Sequence, residues 1–289
     1  MRQRRIVFMS AQKSHDWNLQ PIFGRVNAEA KIWNAMWDQL VPSDLIVVAA
    51  YGWAGRIASE LPNPVVAISH GVVTFSGAPG EDWIDHPPSR PLELLVASPW
   101  TGMQLRRRGW EFKSQLHASQ PTFEAALLAG GARESQRPLK SRGAVDDLAR
   151  RLVHLDQPGC VEAQHAAIDL ARQAAAILDL DFEVVSHHTA GGGMEHPVDR
   201  LTRAAAITSR WSTGLVEAWL ARVPAISLSV CRNWLGWASM AMCADEVADY
   251  VRTYDWERDE AAVARFAGSR VSGSVTRTCR ALETLAGRA

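Results

Sequence analysis

Residues 206–229 read Ala-Ile-Thr-Ser-Arg-Trp-Ser-Thr-Gly-Leu-Val-Glu-Ala-Trp-Leu-Ala-Arg-Val-Pro-Ala-Ile-Ser-Leu-Ser, and this stretch decides the fold. It continues the short apolar run Ala204 to Thr208, the pattern of a strand buried in a parallel sheet. Ser209 to Gly214 is small and polar, a turn at the carboxyl end of that strand. Ser212 or Thr213 supplies the N-cap of a helix over Leu215 to Arg222. Val223-Pro224 ends the helix, because proline has no N–H and restricts the residue before it. Ala225 to Leu228 is the next strand. Strand, turn, helix, strand is the repeating unit of an α/β protein, whose ligands sit outside the carboxyl ends of the strands. The turn therefore predicts an anion site. The helix N-terminus offers N–H groups and a positive dipole end. Arg210 adds a guanidinium suited to phosphate oxygens, and Glu217, one turn into the helix, is placed to accept from a ribose.

The same alternation runs through the rest of the chain. Strands are predicted at Arg5 to Met9, Asp44 to Ala50, Pro64 to Ser69 and Leu92 to Ala97. Lys13 to Gly24 reads as a polar, aromatic loop, and Asn27 to Leu40 as a helix on which Trp33 and Trp37 share a face. Ser98-Pro99-Trp100 opens a helix that Gly109 stops. Residues 129–146 are Gly-rich, basic and without periodicity, the composition of a linker. After it come strands at Arg151 to Leu155 and Phe182 to Ser186 and a long amphipathic helix from Val161 to Leu178. Further helices are predicted at Trp234 to Met242, Asp259 to Phe266 and Ser274 to Leu285. The fold class is α/β: two Rossmann-like, doubly wound domains facing a cleft, residues 1–130 and 147–289, joined by a linker at about 131–146.

Ser212-Thr213-Gly214, Glu217-Ala218 and Arg222-Val223-Pro224-Ala225-Ile226 resemble the nucleotide-sugar half of GT-B glycosyltransferases. The pattern there is a Ser/Thr/Gly turn, a helix carrying Glu-Ala, then Gly-x-Pro-hydrophobic, and Val223 stands where the family usually has Gly. The resemblance is closest to bacterial surface-polysaccharide transferases, including the capsule Kdo transferases. It implies an acceptor-side N-terminal domain and a donor-binding C-terminal domain. It implies transfer of a sugar from a nucleotide-sugar donor to an acceptor hydroxyl in glycan synthesis, with Arg210, Ser212, Thr213, Gly214 and Glu217 on the donor. It also implies a final helix, from Ser274, that packs back across the cleft. Neither a metal nor a separate cofactor is expected, since basic side chains and a helix dipole neutralise a leaving diphosphate.

Other strand ends carry candidate chemistry. His70-Gly71 resembles the His-Gly of the Kdo transferases' acceptor domain, with Ser69 in place of the usual Gln. His70 would deprotonate an acceptor hydroxyl or bind the donor phosphate. Asp82 and Asp85, with His86, lie in a loop that would supply the general base of an inverting transfer, or is simply a solvated acidic loop. His15-Asp16 is another candidate pair. In the second half, His187 and His188 follow a strand and precede Gly191 to Gly193. Similar transferases place a His-Pro there for the phosphate, and His196-Pro197 competes for that role. Asp156-Gln157-Pro158-Gly159 follows the strand at Arg151 to Leu155, where the resemblance to GT-B enzymes implies a Gly-rich turn beside the donor phosphate. A metal held by the paired histidines and Asp156 lacks further ligands at suitable spacing.

Composition excludes several classes. The four cysteines have no CxxC spacing, which argues against a disulfide framework or a zinc site. No apolar run is long enough to span a membrane, and the basic-then-apolar Met1 to Met9 reads as a first strand of a cytoplasmic protein. The dehydrogenase fingerprint GxGxxG, the P-loop and the nucleophile elbow are absent. Net charge is zero, yet residues 102–142 carry eight basic against three acidic residues. That segment and the twelve tryptophans motivate one rival, a DNA-modifying glycosyltransferase with nucleic acid as acceptor. A second rival is a non-catalytic nucleotide-sugar-binding protein.

Overall fold

The structure, a computed structural model, describes residues 4–10, 13–49, 51–68, 87–96, 98–136, 150–156, 161–186, 196–210, 212–228 and 239–287. The chain divides into two compact units, Met1–Glu124 with Arg265–Ala289, and Ala125–Ala264.

The first unit contains β1 (Ile6–Met9), α1 (Lys13–Arg25), β2 (Lys31–Trp33), β3 (Leu45–Val48), α2 (Tyr51–Glu60), β4 (Val65–Ile68), β5 (Leu92–Val96), α3 (Pro99–Arg107) and β6 (Phe112–His117). The six strands form one parallel sheet, ordered β2-β1-β3-β4-β5-β6. Strand alternation sorts the side chains onto two faces. Val7, Met9, Ile46, Val48, Val65 and Ala67 pack with Ala54 and Ile57 of α2, Leu105 of α3 and Trp110. Ile6, Phe8, Leu45, Val47, Val66 and Ile68 pack with Leu19 and Ile22 of α1 and with the last helix, α10 (Ser274–Gly287). Both faces are covered, so the unit is doubly wound. Helix α10 presents Val275, Cys279, Leu282 and Leu285 at helical spacing and packs beside α1. Its N-terminus is capped by Glu124, whose carboxylate accepts from Gly273 N (2.7 Å), Ser274 Oγ (2.8 Å) and Val275 N (2.9 Å).

The second unit contains β7 (Arg151–Leu155), α5 (Val161–Ile177), β8 (Asp181–Val185), α6 (Pro197–Arg203), β9 (Ala204–Ser209), α7 (Thr213–Leu220), β10 (Ala225–Ser227) and α8 (Ala244–Arg252). Its strands are also parallel, ordered β10-β9-β7-β8. Ala167, Ala171, Ala174 and Ala175 form the buried stripe of α5, and their small side chains lie over Leu152, Ala206, Ile226 and Leu228. The unit boundaries fall within α4 (Pro121–Gln136) and α9 (Glu260–Ala267).

Helix α7 is fixed at both ends. Ser212 is its N-cap, accepting from Gly214 N at 3.0 Å. At the other end Arg222 N donates to Trp219 O and Val223 N to Ala218 O, both at 2.9 Å, the paired bonds of a Schellman stop. The left-handed residue is Arg222, at φ 60°, so the position that favours glycine lies one residue before Val223. Its guanidinium lies 3.5 Å from the centre of the Trp256 ring, which offsets part of the backbone strain.

Several local expectations are corrected. Lys13 to Gly24 is helical, not a loop: Leu19 and Ile22 are fully buried one turn apart, and that burial outweighs the polar composition and Pro21. Asn27 to Leu40 is not a helix. Lys31–Trp33 pairs with β1, Asn34 turns left-handed (φ 51°), and only Trp37–Gln39 makes a 3-10 turn. Trp33 therefore packs on Phe8 and Phe23, while Trp37 is exposed. Residues 131–136, assigned to the linker, continue α4. The helix expected over Trp234 to Met242 is absent from its described part, where Met240 instead bridges to Ser227.

Candidate functional site

The order β10-β9-β7-β8 reverses direction between β7 and β9, because the chain leaves β7 toward β8 and returns on the other side to β9. The crevice outside the carboxyl ends of two such strands is where open α/β sheets bind ligands. Here β7 leads into Asp156 and β9 into Arg210. The two ends are tied by side chains. His154 Nδ1 lies 3.0 Å from Thr208 Oγ1, and Ser209 Oγ donates to Leu155 O at 2.8 Å. Ser227 Oγ, from β10, donates to Arg210 O at 3.1 Å. Asp156 Oδ2 accepts from Gln164 Nε2 of α5 at 2.5 Å, while its buried Oδ1 has no hydrogen-bond partner. Burial pushes His154 down to about 4; Asp156 pulls it up and the Arg210 charge pushes it down further. The ring is therefore neutral at pH 7, with Arg210 close enough for its field to be felt.

The structure brings together Arg210, Ser212, Thr213, Gly214 and Glu217 of the expected donor set. Arg210 and Glu217 are each only 6% exposed. The cap also takes part of what the turn offers: Gly214 N–H goes to the Ser212 hydroxyl and Leu215 N–H to Ser212 O at 3.0 Å. Gly214 has a packing reason of its own, since a Cβ there would stand 2.2 Å from Leu155 Cδ1. His70, Asp82, Asp85, His86, His187 and His188 lie outside the described residues. His196 is the N-cap of α6, its Nδ1 accepting from Val198 N at 3.2 Å. That local bond engages it in helix capping. His15 is buried beside Trp53, with ring centres 6.1 Å apart.

Sequence reasoning passed over His154, Thr208, Gln164 and Ser227. One signal was available: His154 is a titratable residue inside the apolar strand Arg151-Leu-Val-His-Leu155, one position before its carboxyl end. Among the described residues no group of three or more His, Cys, Asp or Glu side chains is placed to hold a metal ion. No helix among them is long and apolar enough to cross a membrane.

Two parallel Rossmann-like sheets in one chain are the GT-B fold, and the solved structures that resemble the chain have it. The wall teichoic acid polymerase TagF, soaked with CDPG, aligns at a TM-score of 0.62 and 12% identity, over 100% of this chain and 89% of that one. The UDP-GlcNAc 2-epimerase of Methanocaldococcus jannaschii, in complex with UDP-GlcNAc and UDP, aligns at 0.61 and 12%, over 98% and 100%. No protein-family profile and no curated protein sequence matches the chain.

Proposed function

We propose that this chain is a glycosyltransferase that moves a sugar from a nucleotide-sugar donor to an acceptor hydroxyl, with the donor held at the carboxyl edge of the second unit. The observation that carries the reading is that β9, at the switch point of a Rossmann-like sheet, leads into Arg210 and the Ser212-capped N-terminus of α7. One neighbour soaked with CDPG and another in complex with UDP-GlcNAc and UDP support a nucleoside diphosphate as the ligand class. In this reading the acceptor oxygen attacks the anomeric carbon as the bond from that carbon to the diphosphate oxygen breaks. The electron pair stays on the diphosphate, and the hydroxyl proton passes to a base, for which His70, Asp82 and Asp85 are the candidates. Arg210 balances the charge that grows on the leaving diphosphate, Thr213 and Gly214 line its turn, and Glu217 holds the ribose. His187 and His188 are assigned to the phosphate. The acceptor side is assigned to the first unit, Met1–Glu124 with Arg265–Ala289, and the donor side to the second, Ala125–Ala264, in a cytoplasmic enzyme of glycan synthesis.

The test is a panel of UDP-, GDP-, CMP- and dTDP-sugars, screened first by thermal shift and then for nucleotide release with and without acceptors. Saturating the folded state at a hundredfold excess over Kd raises stability by about 2.7 kcal/mol. With the preferred donor, Arg210→Ala should lower kcat on the order of a hundredfold and Arg210→Lys roughly tenfold, with KM for the donor less affected. A near wild-type kcat in Arg210→Ala sinks the assignment. Conversion of the donor to its epimer, with no acceptor consumed, would instead place the chain with its epimerase neighbours.

A further inference from the structure

Helix α3 and edge strand β6 run side by side and antiparallel at one border of the first unit's sheet. Three contacts fix the alignment. Pro99 lines one cavity with Leu116, His117 and Arg270. A Cβ on Gly102 would meet the Gln115 amide at 2.2 Å. The Arg106 guanidinium lies 5.6 Å from the centre of the Phe112 ring. Among the described residues β6 pairs with β5 alone, so its outer side is covered by no further strand.

Burial sorts the residues of α3 onto two faces. Thr101, Gly102 and Leu105 are buried. Met103, Arg106 and Arg107 share the opposite face at helical spacing and are exposed. On β6, Lys113, next to the Phe112 that Arg106 covers, is exposed, and so is Leu116. Arg270 is exposed across the cavity it shares with Leu116. Met103 and Leu116 are 40% and 39% exposed, high for large apolar side chains.

The charge on this border has one sign. Helix α3, strand β6 and residues 268–270 contain no carboxylate. Among the described residues Arg106, Arg107, Lys113 and Arg270 make no salt bridge. The carboxylates that adjoin the border are Glu93 of β5, which accepts from the Ser114 hydroxyl, and Glu111, one residue before β6. Burial and the Arg106 charge hold His117 below its ordinary range, so its ring adds no charge at pH 7. Four cations thus stand beside two exposed apolar side chains, in a protein whose net charge is zero. That mixture suits an anionic lipid surface, where cations meet the headgroups and apolar side chains reach the acyl boundary. A nucleic acid would use the cations but gain nothing from Met103 and Leu116. Stacking rings for bases are already engaged: Trp100 packs on Phe266 at 5.2 Å between centres, and Phe112 lies beneath Arg106.

We propose that the α3–β6 border docks the protein reversibly on an anionic membrane surface, through Arg106, Arg107, Lys113 and Arg270 with Met103 and Leu116 between them. The face belongs to the first unit alone, so the proposal does not depend on the donor site. The experiment is flotation of the full chain with vesicles of phosphatidylcholine, with and without phosphatidylglycerol. The protein should float with the anionic vesicles only, and added salt should release it. Each basic residue at such a surface contributes roughly fivefold, so Arg107→Glu, Lys113→Glu and Arg270→Glu together should weaken binding on the order of a hundredfold. The same number of reversals among exposed arginines of the second unit, Arg150→Glu, Arg172→Glu and Arg252→Glu, should weaken it far less. Met103→Gln with Leu116→Thr should weaken it roughly tenfold without changing its salt dependence. Thermal melts of all variants check that each is folded. Equal flotation with neutral and anionic vesicles overturns the proposal. So does equal loss in the two sets of charge reversals, or vesicle binding that the Met103 and Leu116 changes leave intact. Binding of duplex DNA at a salt concentration where anionic vesicles are not bound overturns it in favour of a nucleic acid.

Discussion

His154 makes the second unit acid-sensitive in a way that can be calculated. The ring is 1% exposed, bonded to Thr208, and its pKa is pushed down to about 4 by burial, with Asp156 raising it and Arg210 lowering it. In the unfolded chain the same ring titrates near its ordinary value of about 6.5. Between these values the unfolded state binds the proton and the folded state does not. Stability is therefore fully present above about pH 6.5 and is lost as pH falls toward 4. A separation of about 2.5 units is worth about 3 kcal/mol at the limit and about 2 kcal/mol at pH 5. His117 and His196 are shifted down as well and add to the wild-type curve, so the informative comparison is with His154→Asn. Asparagine keeps a polar atom near Thr208 and does not titrate. Hydrogen exchange of the amides of β7 and β9, measured from pH 7 to pH 5, reports the second unit by itself. The wild type should lose about 2 kcal/mol more protection over that range than the variant does. Carbon-13 NMR should show one histidine ring that stays neutral to near pH 4 and vanishes in the variant. An equal pH slope in both proteins, or a His154 ring that titrates near 6.5, would refute the reasoning.

Three further outcomes follow from other sites. Glu217→Gln should weaken nucleotide-sugar binding by roughly tenfold or more, the value of a lost bond to a charged group at about 1.5–3 kcal/mol; calorimetry giving an unchanged Kd removes Glu217 from the donor site. Gly130→Ala puts a Cβ 2.4 Å from Leu220 O and 3.0 Å from Ala221 Cα. Since both are backbone atoms, the strain of about 1–3 kcal/mol should exceed the gain of about 1 kcal/mol in helix propensity, and a urea midpoint at or above wild type would contradict it. Burial pushes the Glu124 carboxyl up, but its bonds to Val275 N, Ser274 Oγ and Gly273 N outweigh that and hold it below its ordinary range. Its stabilisation is therefore present above the usual carboxylate range and lost as pH falls through the folded value. Glu124→Gln should loosen α10 by about 1–2 kcal/mol and flatten that acid limb, read by amide exchange in Ser274–Gly287.

The parallel strands were legible because each is a short apolar run closed by a polar turn, and β1, β3, β7, β9 and β10 lie where those runs stand. The elements that went unread are those whose pattern depends on partners distant in sequence. Helix α1 is polar and aromatic in composition, and its stripe shows only where Leu19 and Ile22 meet the sheet. Lys31–Trp33 becomes a strand only by pairing with β1, against a helical spacing of its own apolar residues. Edge strand β6 has mostly exposed side chains and so lacks the buried signature. The turn at Ser212 was readable from its cap chemistry. The depth of Arg210 was not, because burial is set by what surrounds a side chain and not by its place in a motif. His154 was missed for the opposite reason: a polar residue in an apolar strand has no periodic signal, and its meaning comes from Thr208, 54 positions later in the chain.

The arrangement around α7 bears on how the candidate site would work. The helix is eight residues long, too short to be stable alone, so its position must come from its surroundings. Ser212 holds the first turn, Leu155 fits over Gly214, and the Schellman bonds at Arg222 close the last turn. Trp219 Nε1 donates to Trp256 O, and the Arg222 guanidinium covers the Trp256 ring. Gly130 lets α4 lie against the C-terminal turn with backbone touching backbone. These contacts tie the helix to the sheet and to two other segments of the same unit. Arg210 is similarly held, its carbonyl by Ser227 and its side chain in the interior. A guanidinium and a helix dipole fixed during folding need not be reorganised when charge develops on a leaving diphosphate, and such fixed groups stabilise a transition state more than flexible ones do. Tolerating Arg222 in a left-handed conformation is consistent with this. A glycine at that position would relieve the backbone, but it would also remove the cation that lies over the Trp256 ring beside the C-terminal end of α7.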